Sequence, residues 1–188
     1  MDKKAELLAE ARQVFAEKGY KKTNISDITK RARMAVGSFY KYYESKEAIF
    51  LEVYVAENNR IREETMQRVD WQSEPEAVVE QLFAVTFELI SPNKILAEWN
   101  KPGISHILHD YYNQDAGRAS NAFHQFLIQT FSQRLQEEGF SKEKIAEIMK
   151  VYDLIYYIDM HVTEQEFSGY FDSLETLVKY FVKGIFSK

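Results

Sequence analysis

An all-α protein is predicted from three properties of the 188-residue sequence. Only 7 Gly and 3 Pro are present, which supplies few turns and no long loops. Hydrophobic residues make up 45% of the chain and aromatic residues 14%, a composition that excludes a disordered chain and is sufficient for a buried core. In addition, apolar residues recur at helical spacing along nearly the whole sequence.

The composition also predicts a soluble protein of the cytoplasm. There is no Cys, so the chain has neither a disulfide framework nor thiolate chemistry. Its first residues, MDKKAELLAEAR, are charged and amphipathic, unlike a signal peptide. No apolar run approaches the length of a membrane span, so no membrane partner is expected.

The strongest functional pattern is TNISDITKRARMAVGSFYKYYESK, residues 23–46. A first short helix would carry Ile25, Ile28 and Ala32 on one side, which is the spacing of a buried face. A second short helix is predicted over 36–43, and only a tight turn fits between the two. Two short helices joined by a turn of about three residues form a helix-turn-helix, whose second helix enters the DNA major groove.

The second helix has one face suited to the core and one suited to DNA. Phe39 and Tyr43 are four residues apart and can face inward together. The other face offers small groups first, then hydroxyls and a cation: Val36, Gly37, Ser38, Tyr40, Lys41 and Tyr42. Small residues allow the backbone to approach phosphates and base edges closely, and the tyrosines and lysine supply hydrogen-bond donors.

The charge distribution supports DNA as the partner. Residues 1–46 hold 11 Lys+Arg against 6 Asp+Glu, a net of +5, whereas residues 47–188 hold 13 against 23, a net of −10; the two sum to the −5 of the whole chain. Association with DNA depends on the local patch that meets the phosphates. The alternative is that the basic and the acidic parts of the chain are both simply solvated surfaces. The coincidence of the basic end with the motif favours DNA.

A set of spaced residues carries a family resemblance. It comprises AxxxFAEKGY from Ala11 to Tyr20, then Thr23, Ile28, Ala32 and Gly37, and Tyr40-Lys41-Tyr42-Tyr43 before Ser45-Lys46-Glu47. On these residues the run from Leu8 to Phe50, about a quarter of the chain, resembles the N-terminal DNA-binding domain of the TetR family of bacterial transcriptional repressors. The chain departs from that family at Arg33, where Gly is usual, and at Ala35, where Ser or Thr is usual.

Nine residues are predicted to lie at the DNA: Thr23, Ala35, Val36, Gly37, Ser38, Tyr40, Lys41, Tyr42 and Lys46. Lys46 follows the helix cap Ser45, and we expect it to contact phosphate, as the resemblance also implies. The hydroxyls of Thr23, Tyr40 and Tyr42 are expected to do likewise. Base edges should come within reach of three side chains, those of Val36, Ser38 and Lys41. Ala35 and Gly37 would allow close approach.

Further helices are predicted along the rest of the chain. The first helix spans 3–18, and those after the motif are expected from 45 to about 69 and at 76–90, 104–112, 119–138, 141–166 and about 172–185, with a short segment at 95–99. The expected domains are 1–46, which binds DNA, and 47–188, which dimerises and holds a ligand. A hinge is expected near 45–50.

A homodimer is predicted from the C-terminal helices. The helix at 141–166 is apolar on more than one side, which is typical of a central helix or of one shared with a neighbour. With the helix at 119–138 and the final helix it could form an isologous four-helix interface, as the resemblance implies. An ordinary monomer core is the alternative. A palindromic operator in double-stranded DNA would require the dimer.

The resemblance also implies a small-molecule effector in the C-terminal domain. Helices 76–90, 104–112, 119–138 and 141–166 are expected to surround an aromatic-lined cavity for a mostly apolar molecule, with these residues as candidate lining: Phe83, Phe87, Trp99, Tyr112, Phe123, Phe126, Tyr152 and Tyr156. The same residues could equally form plain core. A preference for cations would have to come from Glu88, Glu98, Asp153 or Asp159.

Catalytic patterns are sparse. The sequence has no Gly-rich phosphate loop, GxSxG, HExxH or Glu-x-x-His pair. His106 and His109, with Asp110, could hold a metal, but hydrogen-bonded histidines are the more common outcome. Asp159 and His161 could face solvent, a dimer seam or a pocket, and so could Asp153. We therefore predict no enzyme, no metal and no cofactor.

The predicted function is a sequence-specific DNA-binding repressor that a small, mostly apolar ligand releases from its operator. The alternative is a helical protein-interaction module whose basic end binds acidic partners. Binding to duplex DNA with a steep salt dependence and a sequence preference would favour the repressor.

Overall fold

The computed structural model describes residues 2–101, 103–114 and 121–187, and these residues contain helices and no strand. The predicted all-α fold is therefore confirmed. The helices are α1 Lys3–Lys18, α2 Ile25–Arg31, α3 Val36–Phe39, α4 Lys46–Arg68, α5 Pro75–Ile90, a 3-10 helix Leu96–Asn100, α6 Ser105–Asn113, α7 Ala122–Glu137, α8 Lys142–His161 and α9 Tyr170–Phe186. Within the same described ranges, no helix is both long and apolar enough to cross a membrane.

The chain forms two compact units. The first contains the residues up to Arg62 together with Glu88–Asp110, and the second contains Glu63–Phe87 together with the residues from Tyr111 onward. The first unit therefore contains the helix-turn-helix, most of α4 and the segment Glu88–Asp110. The functional division into 1–46 and 47–188 remains a prediction.

Aromatic packing between α1 and α4 forms the centre of the first unit. Phe15 and Phe50 are fully buried, and their ring centroids lie 4.8 Å apart in an edge-to-face arrangement. Tyr20 packs on the same Phe50 ring at 4.9 Å. Such pairs add about 0.5–1.5 kcal/mol beyond the burial of their area. They set the position from which α2 and α3 are presented.

The turn between α2 and α3 is made with an arginine in the left-handed region. Arg33 has φ of 53°, and the N–H of Met34 donates to the carbonyl of Thr29 at 2.8 Å. The N–H of Arg33 itself donates to the carbonyl of Lys30 at 3.2 Å. These two bonds form the Schellman pattern that ends a helix. The departure from Gly at this position therefore leaves the helix-turn-helix intact.

Two predicted helix ends were wrong. The helix expected over 36–43 ends at Phe39, because the N–H groups of Lys41 and Tyr42 donate three residues back and tighten the backbone into turns. The helix expected over 141–166 ends at His161. There, Glu164 accepts from the N–H groups of Gly169 and Tyr170 at 2.6 and 2.9 Å and caps α9 instead.

Most other predicted helices agree with the structure within a few residues. α1 has the predicted bounds, and Gly19 ends it with φ of 74° and an N–H donated to Phe15. Asn121 caps α7 by accepting from the N–H of His124 at 3.1 Å. The predicted start of that helix at 119 lies outside the described residues.

Candidate nucleic-acid interface

The inner face of the helix-turn-helix is held by buried aromatic rings and by the buried hydroxyl of Thr23. Phe39 is 0% exposed and Tyr43 6%, with ring centroids 5.9 Å apart, as the spacing of four residues predicts. Thr23 is also 0% exposed, and its Oγ1 donates to the carbonyl of Gly19 at 2.7 Å. The hydroxyl of Thr23 therefore holds the turn after α1, and its contact with a phosphate stays a prediction.

The outer face presents most of the other predicted DNA contacts to solvent. Tyr40 is 58% exposed, Val36 46% and Tyr42 38%. Ala35, Gly37 and Lys41 are exposed as well, and Ser38 is half-buried. A Cβ on Gly37 would meet nothing within 4 Å, so packing inside the chain does not require glycine there. Close approach of an external partner would give this glycine a role.

The positive charge of the first 46 residues is concentrated in one stretch. Five of the eleven cations form ion pairs, namely those of Lys3, Lys4, Arg12, Lys18 and Arg31. Five others are exposed, and within the described residues none makes an ion pair closer than 4 Å: Lys21, Lys22, Lys30, Arg33 and Lys41. All five lie between α1 and the turn after α3. An unpaired, hydrated cation is what phosphate binding uses.

Lys46 has a different environment from these five cations. Its ammonium donates to the carbonyl of Tyr20 at 3.1 Å and to that of Thr23 at 3.0 Å, and it lies 4.1 Å from the centroid of the Tyr20 ring. The side chain therefore clamps the α1–α2 corner onto the start of α4. A phosphate contact would have to use the remaining N–H of the ammonium.

The same corner is held by residues that the sequence analysis did not place there. Glu98 is 4% exposed, accepts from the N–H of Tyr20 at 3.4 Å and pairs with Lys101 at 3.1 Å. Lys94 donates to the carbonyl of Glu17, in the last turn of α1, at 2.7 Å. Glu98 was one candidate for a cation-selective cavity, but it belongs to this corner.

A buried carboxylate lies behind the corner on α4. Glu57 is 3% exposed and accepts from Arg12 at 2.7 Å, from Arg60 at 2.9 Å and from Asn93 at 2.8 Å. Burial raises the pKa of Glu57, but the hydrogen bonds from the two guanidinium groups and the amide outweigh it and lower the pKa to about 2. The available sequence signal was an acid on the buried stripe of α4, between Tyr54 and Ile61.

The second unit contains a cavity of about 490 Å³. Four predicted residues line it: Phe83, Phe126, Tyr152 and Tyr156. Its other aromatic residues, Trp71, Phe131, Phe181 and Phe186, were missed, although the last two lie on the apolar stripe of the final helix. The walls come from α5, α7, α8 and α9, whereas α6 was expected in place of α9.

The other four predicted lining residues lie elsewhere. Trp99 belongs to the first unit, where it stacks on Tyr54 at 6.2 Å and packs against His109 at 4.2 Å. Tyr112 is buried against its neighbour Tyr111. Phe87 is 58% exposed, and Phe123 is half-buried on α7 away from this cavity.

The polar residues singled out near these helices have individual roles. His109 Nε2 lies 3.2 Å from the carbonyl of Trp99, and His106 is exposed. The described part of the chain contains no group of three or more His, Asp or Glu side chains that could hold a metal ion. Asp153 is exposed, Asp159 lines the cavity, and His161 is bonded to the carbonyl of Tyr157.

Comparison with known sequences identifies relatives of the N-terminal part. The model of a family described as bacterial regulatory proteins, tetR family, matches residues 7–53. The HTH-type transcriptional regulator YuxN of Bacillus subtilis is 42% identical over 52 residues, which are 27% of this chain and 18% of YuxN. YdgC of the same organism is 35% identical over 65 residues, 35% of this chain and 33% of YdgC. The chain thus matches no more than a third of the length of these two relatives.

A named repressor and two solved structures complete the comparison. The HTH-type transcriptional repressor DhaR of a Mycobacterium species is 48% identical over 42 residues, 22% of this chain and 21% of DhaR. A TetR-like regulator from a Rhodococcus species has 18% identity and a TM-score of 0.54, covering 99% of this chain and 97% of its own. The superantigen PfiT has 16% identity and a TM-score of 0.53, covering 100% and 98%. At such identities the likeness shows the fold alone.

Proposed function

We propose that this chain, which belongs through residues 7–53 to the tetR family of bacterial regulatory proteins, is a sequence-specific DNA-binding transcriptional repressor. The observation that carries the proposal is the exposed outer face of the helix-turn-helix together with five exposed cations that make no ion pair with any residue the structure describes. Such a regulator acts by binding rather than by catalysis, and it works in the cytoplasm, where bacterial DNA lies.

Contacts in the proposed complex divide by chemistry. Phosphates, which position the protein without reading sequence, would be bound by the hydroxyls of Tyr40 and Tyr42 and by five cations: Lys21, Lys22, Lys30, Arg33 and Lys46. Base edges would be read by Val36, Ser38 and Lys41. Ala35 and Gly37 would let the start of α3 approach the groove.

The decisive experiment selects a preferred duplex from a random library and then compares it with a scrambled duplex at 50–200 mM salt. We expect a preference of at least about 10³-fold. With five phosphate-binding cations per chain, the slope of log K against log salt should be about −4 to −5 for each chain engaged. Binding without a sequence preference, or a nearly flat slope, would instead support a protein-interaction module.

We further propose that the second unit pairs with a second copy of the chain. Exposed apolar side chains recur at intervals of three on α8, where Val151 is 42% exposed and Leu154 and Tyr157 are each 58% exposed. On α9, Leu177 is 43% exposed and Tyr180 is 71% exposed. Stripes of this kind mark an interface, since an isologous contact would cover them on both copies. A two-fold dimer would also match a palindromic operator.

Sedimentation at micromolar concentration tests the dimer. The wild-type protein should sediment at twice the mass of the 22.1 kDa chain. Leu154→Asp should produce monomers, because it introduces a charge into the apolar stripe. Lys142→Asp, at the exposed start of α8, serves as the control and should remain dimeric. A wild-type protein that sediments only as the single chain would exclude the proposed interface.

The last part of the proposal is that a small, mostly apolar effector enters the cavity of the second unit and releases the operator. The cavity supports this because its volume of about 490 Å³ is within the range of about 300–1,000 Å³ that holds small ligands. Its lining is dominated by aromatic and aliphatic side chains.

A further inference from the structure

Three charged side chains interrupt the apolar wall of the cavity in the second unit: Arg134, Glu137 and Asp159. Arg134 lies on α7, and its guanidinium donates to the carbonyl of Ser73 at 3.3 Å. Among the described residues it has no carboxylate within 4 Å. Since a guanidinium carries five N–H donors, most of those of Arg134 are left for another acceptor.

The two acids of the wall are already hydrogen-bonded. The carboxylate of Glu137 accepts from the side-chain amide of Gln133 at 2.9 Å, and its residue is exposed. Asp159 accepts from the hydroxyl of Tyr170 at 3.2 Å. Both acids are exposed, so water screens their charges, whereas Arg134 is half-buried and is the one cation among the described residues of the lining. Its remaining donors therefore favour an anionic ligand group.

The position of Arg134 sets the shape of such a ligand. Phe126 lies on the same helix eight residues before Arg134, a separation of about 12 Å along the axis. Around that end of the cavity lie Tyr152 and Tyr156, with Trp71 packed edge-to-face on Phe126 at 4.9 Å. The wall thus carries its cation at one end, with the exposed Glu137 about one turn further along the helix, and aromatic rings at the other end.

We propose that the cavity binds an amphipathic carboxylate, with the carboxylate on Arg134 and an apolar body of about 12 Å directed towards Phe126. The planar guanidinium can receive both carboxylate oxygens in parallel hydrogen bonds, which a point charge cannot match. This inference rests on the proposed function, in which the same cavity holds the effector.

Calorimetric titration of the 188-residue chain with three ten-carbon probes tests the inference. The probes are decanoate, decan-1-ol and decyltrimethylammonium, each below the concentration at which it forms micelles. Decanoate should bind about tenfold or more tightly than decan-1-ol, because charge-assisted hydrogen bonds are added to the same apolar contacts. The cation should bind most weakly. Equal affinity for acid and alcohol, tightest binding of the cation, or no binding of any probe would overturn the proposal.

Two variants and a control connect the preference to one side chain. Arg134→Gln should lose about tenfold or more in affinity for decanoate while binding decan-1-ol within about twofold of wild type. Arg134→Lys should retain part of the preference, since the charge remains and the fork is lost. Lys142→Gln, which removes an exposed cation away from the cavity, should leave all three affinities unchanged. If Arg134→Gln keeps the wild-type preference, Arg134 is not the recognition group.

Operator binding in the presence of decanoate separates this site from the proposed function. If decanoate binds through Arg134 and the protein stays on its operator, the site stands and the effector role of the cavity fails. If the operator is bound and decanoate is not, the repressor stands and the carboxylate site fails.

Discussion

Glu57→Ala should destabilise the first unit by about 3 kcal/mol, the largest effect that we expect from any single substitution in this chain. Removing one member of a buried charge network costs about 3–5 kcal/mol, because the remaining charges lose their partner. The lower end of this energy range applies here, because the side chains of Arg12 and Arg60 are 39% and 47% exposed and can be hydrated. The amide of Asn93 loses its acceptor in addition. Urea unfolding followed by circular dichroism measures the difference.

The pH dependence provides a second measurement of the same network. The pKa of Glu57 is lowered from an ordinary value of 4.5 to about 2 in the folded protein. A carboxylate whose pKa falls on folding stabilises the protein fully above its unfolded pKa, and this contribution is lost as pH falls towards the folded value. The stability difference between wild type and Glu57→Gln should therefore be constant above about pH 5 and shrink between pH 4.5 and pH 2.

Glu52→Gln is the matched control for both measurements. Glu52 lies on the same helix and pairs with Lys4 at 3.1 Å, but the two side chains are 41% and 45% exposed. Exposed pairs of this kind contribute about 0–1 kcal/mol. If Glu57→Ala costs no more than Glu52→Gln, the buried network does not stabilise the first unit.

Lys46→Ala should affect both folding and DNA binding. The ammonium of Lys46 bonds the carbonyls of Tyr20 and Thr23, and hydrogen bonds to charged groups contribute about 1.5–3 kcal/mol. We therefore expect a loss of about 2 kcal/mol in stability without DNA. If its remaining N–H meets a phosphate, as we propose, operator and random duplexes should weaken about equally, and the salt slope should fall by about one unit.

Ser38→Ala and Lys41→Ala separate sequence reading from support of the fold. Both side chains lie on the outer face, and Lys41 makes no ion pair within the described residues, so stability should change by less than about 0.5 kcal/mol. Each variant should instead alter the preferred sequence, by about 1–3 kcal/mol at its base pair. The assignment fails if Lys46→Ala changes the preferred sequence while Ser38→Ala weakens all duplexes alike.

The sequence by itself determined the helices and the helix-turn-helix, because their signals lie within a few residues of one another. Gly19 ends α1 at the predicted residue through a bond to Phe15, and Ser141 caps α8 by accepting from the N–H of Lys144 at 3.2 Å. The burial of Phe39 and Tyr43 followed from a spacing of four. The exposure of Val36, Gly37, Tyr40 and Tyr42, which lie off that buried pair, followed in the same way.

One predicted helix end, that of the helix over 141–166, failed where a side chain offered the backbone another partner. The carboxylate of Glu164 bonds two N–H groups at the start of α9, so the chain turns where the apolar pattern of 141–166 predicted more helix. Periodicity identifies the buried side of a helix, but it does not identify the acceptor that ends one.

Only the tertiary structure decided which polar groups are buried and which aromatic residues line the cavity. Glu57 bonds Asn93 from 36 residues away, and Glu98 bonds the backbone of Tyr20 from 78 residues away. Trp99 and Phe126 are both apolar residues of helical segments, yet one packs in the first unit and the other lines the cavity of the second. The hydrophobic effect is non-directional. Composition therefore predicts that such residues are buried, but it does not predict which residues they pack against. A hydrogen bond requires its two atoms within about 3 Å, and that distance is fixed only when remote segments have packed together.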